Sequence, residues 1–157
     1  MGIEMKMTQE EKDLLLKDLC ARLPYGVFIH YHWSCEGKTI DEDRELDFSD
    51  VETLKHDIEN PQNYWCEISW KPYLRPMSSM TDEEFKELHN ICPHSTFNKT
   101  NVPGWIIGIN GSEYGRISHI DEISKLIDWL NANQFDYCDL IPMGLALEAE
   151  EGMYKID

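Results

Sequence analysis

Three times this chain repeats one arrangement: a hydroxyl residue, a glutamate three positions later, a short apolar stripe, and a proline that ends it. The three segments run from Thr8 and Glu11 to Pro24, from Ser49 and Glu52 to Pro61, and from Thr81 and Glu84 to Pro93. A Ser/Thr-x-x-Glu box satisfies two free N–H groups at a helix start, and proline removes a ladder donor and pushes the preceding residue out of helical space. Such a chain builds short helices and has to find the rest of its core in strands. The first helix is predicted over Thr8 to Arg22 with Leu15, Leu16, Leu19, Cys20 and Leu23 inward. The second carries Val51, Leu54 and Ile58, and the third runs to about Ile91 on Phe85 and Leu88. A fourth, capped by Ser118 with Asp121, runs from His119 to about Asn131 on Ile120, Ile123, Ile127 and Leu130.

Between the helices the apolar period falls to two. In Tyr25 to Trp33, residues Val27, Ile29, Tyr31 and Trp33 share the expected core face, and Phe28, His30 and His32 share the other. The chain turns at Glu36-Gly37, and short strands at Lys38–Ile40 and Glu45–Phe48 flank the acidic Asp41-Glu42-Asp43. Tyr64 to Trp70 reads as another strand. Two prolines in Lys71 to Met77 argue that this stretch follows a surface or a sheet edge and not a central position. Residues 93–104 read as loop. Trp105–Ile109 and Tyr114–Ile117 form a hairpin around Asn110-Gly111, Asp136 caps a turn through Ile141, and Leu145–Leu147 adds a last edge strand. The expectation is an α+β fold over residues 1–157 as a single domain, with a small antiparallel or mixed sheet and helices packed on one side.

Five Trp, seven Tyr and five Phe in 157 residues demand a packed core. No apolar run is long enough to span a bilayer, and Met1 to Met7 lacks the order of a signal peptide, so a cytoplasmic location is expected. The five cysteines, Cys20, Cys35, Cys66, Cys92 and Cys138, are odd in number and widely spaced; they read as reduced, buried small hydrophobes. A formal charge of −16 repels polyphosphate and anionic lipid, which argues against direct nucleic-acid or membrane binding and favours a protein partner. An extreme form of that preference is a mimic of DNA that occupies a nucleic-acid-binding protein.

The residues that can carry chemistry are few. His30 and His32 lie at alternate strand positions and can face one metal with Cys35 nearby, and Cys92 and His94 can complete four ligands. The same groups can serve a thiol-dependent enzyme. Phosphate-binding, dinucleotide-binding, G-x-S-x-G and H-E-x-x-H motifs are absent from the sequence, so no cofactor and no catalytic residue is assigned.

Lys71-Pro72-Tyr73-Leu74-Arg75-Pro76-Met77-Ser78-Ser79-Met80-Thr81 resembles a group of short, uncharacterised bacterial proteins of phage or prophage-like regions. So do Ala21-Arg22-Leu23-Pro24-Tyr25-Gly26-Val27, Asp128-Trp129-Leu130-Asn131-Ala132, Phe135-Asp136-Tyr137 and Gly144-Leu145-Ala146-Leu147-Glu148-Ala149. Pro142 stands where that group more usually has a polar residue. The resemblance implies a bacterial or phage cytoplasmic setting and carries no activity or site. Together these features lead to the expectation of a non-enzymatic accessory or protein-interaction module, with the metal- or thiol-dependent enzyme and the DNA mimic as alternatives.

Overall fold

The first and third caps form as the sequence requires, in a computed structural model that describes residues 6–63, 65–92, 95–99, 105–109 and 120–154. At the start of α1 (Gln9–Arg22), Thr8 Oγ1 accepts from the Glu11 N–H at 3.1 Å, and the Thr8 N–H donates to the Glu11 carboxylate at 2.9 Å. Leu15 and Leu19 enter the core. A single 3-10 turn, Leu23–Tyr25, follows at Pro24.

β1 (Phe28–Cys35) and β2 (Lys38–Glu45) then form an antiparallel hairpin. Glu36 (φ 50°) and Gly37 (φ 79°) are successive left-handed residues, the combination that matches a two-residue turn to the twist of its strands. The two short strands expected around the acidic run are one continuous strand. Asp41 and Asp43 stay in the ladder because β1 places an imidazole opposite each.

The second capping box lies two residues upstream of the expected Ser49 and Glu52. The Asp47 carboxylate accepts from the Ser49 N–H at 3.0 Å, and the Asp47 N–H donates to Asp50 at 2.9 Å. This box opens a 3-10 turn that leads into α2 (Val51–Glu59).

β3 (Gln62–Asn63) is a short edge, and β4 (Cys66–Leu74) is an interior strand, with β1 on one side and β3 on the other. The expectation that Pro72 lies outside the sheet centre is therefore corrected. Pro72 is fully buried opposite Ile29. The Ile68 N–H, at the same parity, leaves the β1 side to reach Pro61 O at 2.9 Å. By that alternation the Pro72 nitrogen faces away from β1, beyond the end of β3, where no ladder donor is needed.

β7 (Leu147–Glu148) runs parallel to β4, so the sheet is mixed, with the path β2-β1-β4-β3 and β7 on β4. Leu15 and Leu19 of α1 and Leu54 and Ile58 of α2 cover Ile29, Trp70 and Leu74 on one face. The result is an α+β fold. The Trp70 indole N–H is buried in this layer and donates to Asp57 at 2.9 Å. Trp70→Phe is expected to lower the unfolding free energy by about 2 kcal/mol, since it leaves a buried carboxylate oxygen unpaired. Urea unfolding of the two proteins measures it, and an unchanged midpoint would contradict it.

A second apolar cluster lies between α3 (Asp82–Ile91) and α4 (Ile120–Ala132) and includes Met77, Met80, Leu88, Cys92, Leu126, Trp129, Leu130 and Phe135. On α4 the buried stripe is Leu126, Trp129 and Leu130, while Ile127, expected inside, is 36% exposed. Trp129 stacks on Phe135, which turns the helix toward the indole. The expected loop 93–104 contains β5 (Ser95–Lys99), antiparallel to β6 (Trp105–Ile109). The Asn110-Gly111 turn, the Tyr114–Ile117 strand and the Ser118 cap lie outside the described residues. Asp136 does cap its turn, accepting from the Leu140 and Ile141 N–H groups at 2.8 and 2.9 Å.

Candidate functional site

Strand parity decides what His30 and His32 meet. Both side chains leave the sheet opposite the helices, on the face of β1 shared by Phe28, while Ile29, Tyr31, Trp33 and Cys35 lie on the helix face. A two-residue turn makes Cys35 and Lys38 a hydrogen-bonded pair, and the alternation continues outward from it. The Leu46 N–H to Val27 O bond of 2.9 Å extends the same register. His32 with Asp41 and His30 with Asp43 are then non-hydrogen-bonded pairs, the kind whose side chains stand closer together.

The contacts follow from that closeness. His32 Nδ1 lies 2.7 Å from Asp41 Oδ1, His30 Nδ1 lies 2.7 Å from Asp43 Oδ1, and His30 Nε2 reaches Asp41 Oδ1 at 3.2 Å. From β4 the Tyr73 hydroxyl donates to Asp43 Oδ1 at 2.7 Å, and Lys71 stands opposite His30. Tyr154 anchors the end of this row by donating to Tyr73 O at 2.6 Å and accepting from the Phe28 N–H at 2.9 Å. Hydrogen bonds from His32 and His30 hold the Asp41 carboxyl below its ordinary range, and those from Tyr73 and His30 do the same for Asp43. Burial and the Asp43 hydrogen bond push the Tyr73 phenol up to about 12, so it remains a donor. The carboxylates that orient both histidines are thus present, four and six positions beyond Gly37, in the acidic run between the two short strands expected there.

The remaining candidate ligands do not join this row. Cys35 is on the helix face and is bonded to Cys66, its direct partner across β1 and β4. The expectation of five reduced cysteines is corrected here, because the strand register places these two Cα atoms 4.2 Å apart. Cys92 is buried in the second apolar cluster, and His94 lies outside the described residues. Among the described residues no group of three or more His, Cys, Asp or Glu side chains is placed to hold a metal ion. Burial pushes the Cys138 thiol up, which disfavours the nucleophilic thiolate.

Elsewhere among the described residues, a cleft of about 200 Å³ lies between Arg75, Pro76 and Ser79 and the segment Glu148 to Gly152. Its single cation, Arg75, is already held by Glu84.

β2 is the outermost strand, and among the described residues it pairs only with β1. Seven of its eight residues are exposed, Arg44 being half-buried. Arg44 folds back onto Asp50, at 2.7 and 2.9 Å, and over the Trp70 ring. By the alternation above, the N–H and C=O groups of Thr39, Asp41, Asp43 and Glu45 point away from β1. The fold and this edge define a small α+β domain with an open acidic strand. Comparison with family models, curated proteins and solved structures finds no match to the chain. No helix among the described residues is long and apolar enough to cross a membrane.

Proposed function

We propose that this chain is a non-enzymatic accessory module that binds a partner protein by adding a strand of that partner to β2, in the bacterial or phage setting its sequence resemblance implies. The observation that carries the reading is the edge itself. Eight residues long and paired on one side among the described residues, β2 presents a row of outward main-chain donors and acceptors. Open edges of this kind recruit extended peptides, with main-chain bonds supplying affinity and alternate side chains specificity. The enzyme alternative has less support, because both histidines are engaged by carboxylates and no third metal-binding side chain joins them among the described residues. The DNA-mimic alternative asks for long rows of carboxylates, and the row on β2 is Asp41, Asp43 and Glu45.

Selection from a displayed library of linear peptides tests the proposal. Selected peptides are expected to bind the wild type and to lose about tenfold in affinity against Thr39→Pro, which removes one outward N–H and sets a ring against the incoming strand while leaving the β1 ladder intact. Selected peptides that bind both proteins equally would show that the edge is not the docking element.

A further inference from the structure

Resting on that reading, we infer that the strand received by β2 is a basic one, with Lys or Arg at alternate positions facing Asp41, Asp43 and Glu45 and an apolar residue on its other face beside Ile40. The three carboxylates share one face of β2 and belong to the residues whose main-chain groups point outward. An incoming strand therefore lays its own alternate side chains beside them, at the separation over which opposite charges on neighbouring strands attract.

The two aspartates are half-committed. Asp41 gives Oδ1 to both histidines, and Asp43 gives Oδ1 to His30 and Tyr73; neither Oδ2 makes a hydrogen bond among the described residues. Their side chains are 50% and 54% exposed. His30, His32 and Tyr73 thus act as positioning residues, fixing each carboxylate by one oxygen and leaving the other for a cation. Their hydrogen bonds also keep both carboxyls ionised at lower pH than usual. Glu45, two positions beyond Asp43 on the same face, makes no side-chain hydrogen bond among the described residues and completes the row.

On the opposite face of β2, Ile40 is 46% exposed next to its cross-strand partner Trp33, which asks for an apolar neighbour. A second copy of this chain is disfavoured as occupant, because β2 against β2 would set like carboxylates together within a molecule of charge −16.

The test is an amide-resolved NMR titration with an acetylated, amidated nine-residue peptide that alternates lysine with threonine and carries one valine on the threonine face. Saturable shifts are expected at Thr39, Asp41, Asp43 and Glu45. Affinity is expected to fall about tenfold when serine replaces the lysines, about fivefold with Asp41→Asn/Asp43→Asn, and about twofold with the isosteric Glu45→Gln. If the serine peptide binds β2 as well as the lysine peptide, strand addition stands and the basic occupant is wrong. If the shifts fall elsewhere, or no peptide binds, the edge reading fails with it. Self-association through the same amides without peptide would replace the basic partner with a second copy.

Discussion

Arg75→Ala is expected to remove about 3–5 kcal/mol of unfolding free energy, a large fraction of the total for a domain of this size. Arg75 sits at the end of β4 and joins the sheet to the second apolar cluster. Its guanidinium holds both oxygens of Glu84 on α3 at 2.8 and 2.7 Å, and it lies 4.2 Å from the centre of the Phe135 ring. Its main chain takes part in the same joint, with its N–H to Gln134 O and its carbonyl accepting from the Asp136 N–H, both at 2.8 Å. The Glu84 side chain is 5% exposed, so truncating Arg75 strands a carboxylate that still accepts from the Thr81 N–H at 3.1 Å.

Arg75→Lys keeps the charge and loses the fork, and is expected to cost about half as much. The pH dependence has a definite sign. Burial raises the Glu84 carboxyl, but the Arg75 and Thr81 hydrogen bonds outweigh it and leave the group below its ordinary 4.5. That contribution is present above pH 4.5 and is lost as pH falls below it. Chemical unfolding between pH 3 and 7 should show a shallower acid loss in Arg75→Ala than in the wild type. An alanine variant within about 1 kcal/mol of the wild type would refute the structural role.

Local chemistry was legible in the sequence, and pairing was not. Thr8 with Glu11 and Thr81 with Glu84 act within four residues, so their caps can be read without knowing what the helices touch. At α2 the expected Ser49 and Glu52 box gave way to the Asp47 and Asp50 pair. The choice depended on where β2 ended and on Asp50 also receiving Arg44, which no local rule contains. Ile127 was misplaced for a similar reason, since the helical period allowed two adjacent stripes and the Trp129–Phe135 stack selected one.

The site was more nearly within reach than the strand order. Glu36-Gly37 was identified as a turn, and equal steps outward from it pair His32 with Asp41 and His30 with Asp43. What obscured this was the low strand propensity of three successive acidic residues. Propensity gave way because partners on β1 and β4 hold the Asp41 and Asp43 carboxylates. Cys35 was grouped with the histidines by sequence distance, although three steps from His32 along a strand reverse the face.

The buried pair in α1 gives the contrasting case. Arg22→Ala is expected to cost about 3–5 kcal/mol at pH 7, whereas replacing both members, Asp18→Leu with Arg22→Met, is expected to stay within about 1.5 kcal/mol of the wild type. Arg22 is fully buried, bonded to Asp18 at 2.9 Å, directed at Phe135 O at 2.6 Å and set over the Tyr137 ring. The network is incompletely satisfied: Asp18 Oδ1 and Arg22 Nη1 are buried without hydrogen-bond partners among the described residues. Phe135 O retains the Tyr137 N–H when Arg22 is replaced, so the apolar double variant orphans no carbonyl. Burial dominates at Asp18 and raises its carboxyl above 3.8 despite Arg22, the reverse of the outcome at Glu84. A raised carboxyl favours folding at low pH and loses that advantage as pH rises through its folded value. Without Arg22 the rise is larger, so Arg22→Ala should recover stability as pH is lowered from 7 toward 4. Unfolding free energies of this variant across that range decide the matter: a flat profile for Arg22→Ala would mean that Asp18 is not the group left uncompensated.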